Sequence, residues 1–116
     1  MKADWIIDIN EKQPTIETDQ QYYYIAGVVV GCLVRKIDKQ HGRLVSNTWE
    51  NKFHHLKESS NLKGRLTTVI TTYPELIDLT DEPLKRCIAA VFGYKCDSLK
   101  EDENSLAYMN GFFVQL

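Results

Sequence analysis

The groups in this chain with the most chemistry to offer are three cysteines, Cys32, Cys87 and Cys96, and three histidines, His41, His54 and His55. A thiolate beside a base makes a nucleophile, and a set of thiolates and imidazoles on one face makes a zinc site. Neither pattern is present. His54 and His55 are adjacent, and neighbours on a helix point about 100° apart. Cys87 and Cys96 match no metal-ligand spacing, and a helix end falls between them. Cys32 lies in the most apolar stretch and Cys87 on an apolar helix face, where thiols are inert packing groups. Cys96 is the thiol expected at the surface, but its neighbour is Asp97, and a carboxylate does not stabilise a thiolate. No glycine-rich phosphate loop is found. The Asp and Glu residues sit in polar runs with no acid–base pairing. Gly27 and Gly31 form a G-x-x-x-G step, read here as a place where another helix approaches closely. The expectation is a chain with no catalytic residue, no metal and no cofactor. A small enzyme built on Cys96 or His54 is a third reading, which rapid selective alkylation of Cys96 would favour.

Charge is more informative. Asp97, Glu101, Asp102 and Glu103 cluster, and Asp78, Asp81 and Glu82 sit near the start of the preceding helix. A solvated face and helix N-terminal charge account for such residues; so does a surface complementary to a basic partner. On that second reading the partner-binding residues are Asp97, Glu101, Asp102 and Glu103, then Asp81 and Glu82, with Tyr94 and Tyr108 as aromatic anchors at the rim. A basic set, Arg35, Lys36, Lys39, Arg43, Lys63 and Arg65, lacks the aromatic interleaving of a nucleic-acid platform.

The elements that must position these groups read as follows. Trp5 to Ile9 is rich in strand formers, and Glu11 to Asp19 is a polar loop containing Pro14. Gln20 to Lys39 has the β-branched and aromatic content of a strand but the ends of a helix. Thr18 and Gln21 have capping-box spacing, cations crowd the far end, and Gly42 follows. A single strand of that length is too long for so small a domain, so the segment is predicted as a central helix; the alternative is a hairpin broken near Gly27 or Gly31. Asn47 to Lys57 is a helix with Trp49, Phe53 and Leu56 on one face. Leu62, Leu66, Val69, Ile70 and Tyr73 continue a helical stripe up to Pro74, although the interleaved threonines suit a strand equally well. Thr80 to Phe92 is the clearest helix, with Leu84, Cys87, Ile88, Val91 and Phe92 as its apolar face. Ser98 and Glu101 open a last helix, with Leu99, Leu106 and Met109 inward. Asn110-Gly111 is a turn, and Phe112 to Leu116 pairs with Trp5 to Ile9. The fold class is mainly α: four or five helices around a buried apolar helix, with a small sheet from the two termini. The alternative class is α+β.

Length sets the frame for this reading. A chain of 116 residues with 43% hydrophobic and 26% charged residues makes one globular domain, 1–116. The formal net charge of -2 argues against a non-specific nucleic-acid binder. Met1-Lys2-Ala3-Asp4 leads straight into Trp5 with no signal-peptide pattern, and the odd cysteine count fits a reducing cytoplasm. The longest apolar run, Tyr22 to Val34, falls short of the about 20 residues a transmembrane helix needs.

The helix Leu79-Thr80-Asp81-Glu82-Pro83-Leu84-Lys85-Arg86-Cys87-Ile88-Ala89-Ala90-Val91-Phe92-Gly93, the acidic run from Asp97 to Glu103 and the lack of a reaction site together resemble the bacterial immunity proteins of contact-dependent growth inhibition systems. The likeness covers the whole chain in character and carries no motif. It implies a tight complex with one toxin domain, often a nuclease acting on tRNA, whose active site is covered. The alternative function is a small phage- or plasmid-borne regulatory protein that binds nucleic acid through the basic set.

Overall fold

The computed structural model describes residues 14–41, 63, 66, 67, 70, 71, 74, 82–95 and 102–114. Among the described residues three helices have defined bounds: α1 (Asp19–His41), α2 (Glu82–Gly93) and α3 (Asp102–Phe112). No strand occurs among the described residues, which makes their architecture helical.

α1 begins where the capping box places it. The Gln21 amide donates to Thr18 Oγ1 at 3.2 Å, and the Thr18 amide donates back to Gln21 Oε1 at 3.2 Å. The same Gln21 oxygen accepts from the Glu17 amide at 2.8 Å. Donors that the first turn leaves without helical partners are thereby satisfied. With 23 residues, α1 is about 35 Å long, close to the largest dimension of the protein, 36 Å. Every residue from Tyr22 to Leu33 is buried, so about three turns are covered on all sides. This explains the strand-like composition: a helix wrapped all round is apolar all round. Burial of side chains such as Ile25 (0% exposed) and Leu33 (1%) stabilises by about 1.5–3 kcal/mol each.

α2 turns Leu84, Cys87 and Val91 inward against α1, with Ile88 half-buried. Phe92, expected on that face, is 42% exposed. Lys63, Leu66, Thr67, Ile70 and Thr71 have helical backbone. Leu66 joins the core and Ile70 packs on it. The Thr67 hydroxyl donates to the Lys63 carbonyl one turn back at 2.8 Å, so this threonine is accommodated in a helix. Pro74 lies in a turn.

α3 packs along α1 at very close range. A Cβ added to Gly27 would land on the Tyr108 carbonyl oxygen and 2.9 Å from the Phe112 nitrogen. One added to Gly31 would land on the Phe112 carbonyl, 2.8 Å from its carbon. From the other side, a Cβ on Gly111 would meet the Tyr24 carbonyl and sit 3.0 Å from the Val28 nitrogen. The G-x-x-x-G step is therefore a helix-packing site, and Gly111 is its counterpart.

This contact corrects three sequence expectations. Asn110 and Gly111 are helical, not a turn; Asn110 Nδ2 donates to the Leu106 carbonyl at 2.9 Å, inside the helix. Leu106 and Met109 point outward, at 53% and 40% exposure. The inner face is instead Asn104, Ala107, Tyr108, Gly111 and Phe112, because backbones this close admit small residues along the contact line. Phe112 ends the helix, and Phe113 and Val114 follow in a turn and an irregular segment, so neither begins a strand. The segments Trp5–Ile9 and Asn47–Lys57, the Thr80 cap and the Ser98–Glu101 start lie outside the described residues.

Candidate interaction surface

Two clusters bear on the expected partner-binding residues. The first surrounds Tyr94, just past the end of α2. Its ring stacks on Tyr22 with centroids 5.4 Å apart, and Tyr22 in turn meets Tyr23 edge-on at 5.3 Å. The Tyr94 hydroxyl donates to Asp19 Oδ1 at 2.7 Å. Its carbonyl accepts from Lys63 Nζ, and that ammonium also lies 5.8 Å from the centre of the Tyr22 ring. Such a cation over an aromatic face is worth about 0.5–2 kcal/mol. Tyr94 thus ties the end of α2 to the start of α1, while its half-buried ring lines a cleft. That cleft, of about 410 Å³, is bounded by Pro14, Thr15, Ile16, Ala89, Ala90, Gly93 and Tyr94.

The second cluster is at the far end of α1. Arg35 Nη1 donates to the Phe112 carbonyl at 2.7 Å, and Nη2 to the Val114 carbonyl. Nη2 also lies 3.5 Å from Cys32 Sγ. The guanidinium meets carbonyls at and just beyond the end of α3, where a cation suits the helix dipole. The Val114 amide donates to Gly111 O at 3.0 Å and tightens the same end.

Of the residues expected to bind a partner, Glu82 is exposed in the first turn of α2. Asp102 and Glu103 occupy the first turn of α3. Tyr94 is half-buried as described, and Tyr108 is 3% exposed. Tyr108 therefore lies inside the α1–α3 contact and not at a rim, since its backbone is what Gly27 touches. Asp81, Asp97 and Glu101 lie outside the described residues. In the basic set, Arg35 and Lys63 both donate to backbone carbonyls, which draws two cations into structural work. Among the described residues no three of His, Cys, Asp and Glu gather as metal ligands. Cys32 and Cys87 are buried. Burial pushes the Tyr24 phenol above its ordinary value, and Cys87 pushes it the same way.

A group that sequence reasoning missed is the exposed row Leu106, Met109 and Phe113, the last 64% exposed. Its signal was available: Ala107 and Gly111, one turn apart, mark the inner face of α3 and leave these three opposite. No helix among the described residues is long and apolar enough to cross a membrane. No protein-family model matches this chain, and no curated protein or solved structure is significantly similar to it.

Proposed function

We propose that the chain is a non-catalytic binding module: an immunity-type protein of the bacterial cytoplasm that neutralises a cognate toxin domain, a basic nuclease directed at (t)RNA, by covering its active site. The observation that carries this reading is the acidic start of α3. Asp102 and Glu103 open a helix whose sequence contains no Lys or Arg, and Asp97 and Glu101 precede them in the chain. A nuclease must attract phosphates, so its active site is electropositive, and carboxylates facing it raise the association rate and specificity. The same reading takes four or five helices packed around α1 and assigns the chain no catalytic role.

The test is co-expression with the protein encoded by the neighbouring gene. The expected result is a stoichiometric complex and survival of cells that otherwise die from the toxin. A neighbour that neither co-purifies nor is neutralised would remove the reading.

A further inference from the structure

We draw no further inference here: the strongest candidate, the exposed apolar patch formed by Leu106 and Met109 on the outer face of α3 with Phe113 just past its end, carries no proposal because nothing in the structure shows what covers it.

Discussion

Replacing Gly31 with Ala should destabilise this protein, although alanine is the better helix former. In a helix interior the exchange gains up to about 1 kcal/mol of propensity. Against that, the new methyl group would lie on the Phe112 carbonyl, 2.8 Å from its carbon and 3.0 Å from its Cα. The obstacle is backbone, so no side chain can rotate aside, and α3 must move as a unit. Overpacking costs about 1–3 kcal/mol, and a clash with unyielding backbone belongs in the upper part of that range, about 2–3 kcal/mol, which leaves a net loss of about 1–2 kcal/mol once propensity is credited. For a chain of this length that lowers Tm by about 3–12 °C. Gly93→Ala is the matched control. Nothing lies within 4 Å of its added Cβ, so it should hold or raise stability by up to about 1 kcal/mol. Thermal melting and urea titration of both variants give the two signs. Adding Gly111→Ala to Gly31→Ala should cost less than the sum of the singles, by about 0.5 kcal/mol or more, because one shift of α3 relieves both sites. A Gly31→Ala protein that melts at or above the unmodified chain would refute the close approach of α1 and α3.

Arg35→Ala should lower stability by about 1.5–3 kcal/mol, since it removes charge-assisted bonds to the Phe112 and Val114 carbonyls; denaturant titration measures it, and an unchanged midpoint would mean those carbonyls find equivalent partners in water. The Tyr24 phenol, held above its ordinary value of 10.0 by burial and by Cys87, binds its proton more tightly folded than unfolded. Its contribution to stability is therefore complete below pH about 10 and is lost as pH rises from there through the folded value; the Tyr24→Phe protein should show a shallower alkaline decline in melting temperature. Reversing Glu101 and Asp102 to Lys should weaken binding of the cognate toxin by about 2–5 kcal/mol while changing folding stability by about 1 kcal/mol at most. Surface-based kinetics and melting of the free variant separate the two, and unchanged affinity would place the interface elsewhere.

The parts of the fold that could be read from sequence were those governed by local rules. The Thr18–Gln21 box marks the start of α1 through bonds between residues three apart, and Leu84, Cys87 and Val91 report the inner face of α2 by their period alone. What failed was governed by distance between helices. Hydrophobicity points Leu106 and Met109 inward, yet the gap beside Gly27 and Gly31 admits Ala107 and Gly111 instead. Asn110-Gly111 has the composition of a turn, but the pair lies within a helix that is pressed onto Tyr24 and Val28. For the candidate site, the acidic residues were visible as a run of charge, whereas the roles of Tyr94 and Tyr108 depended on partners far along the chain, Asp19 and Gly27.

The Arg35 bonds reach across 77 and 79 positions of sequence, and this span has a consequence during synthesis. α1 emerges early, with an apolar surface on every side, while α3, which covers its glycine face, is made last among the described elements. At a ribosomal rate of about 5–20 residues per second, the interval is on the order of several seconds. For that time a sticky, strand-prone segment stands without its cover, at risk of association with other nascent chains. A chain stalled before residue 102 would hold that risk indefinitely, which makes α3 the closing step of biogenesis as well as a piece of the folded core.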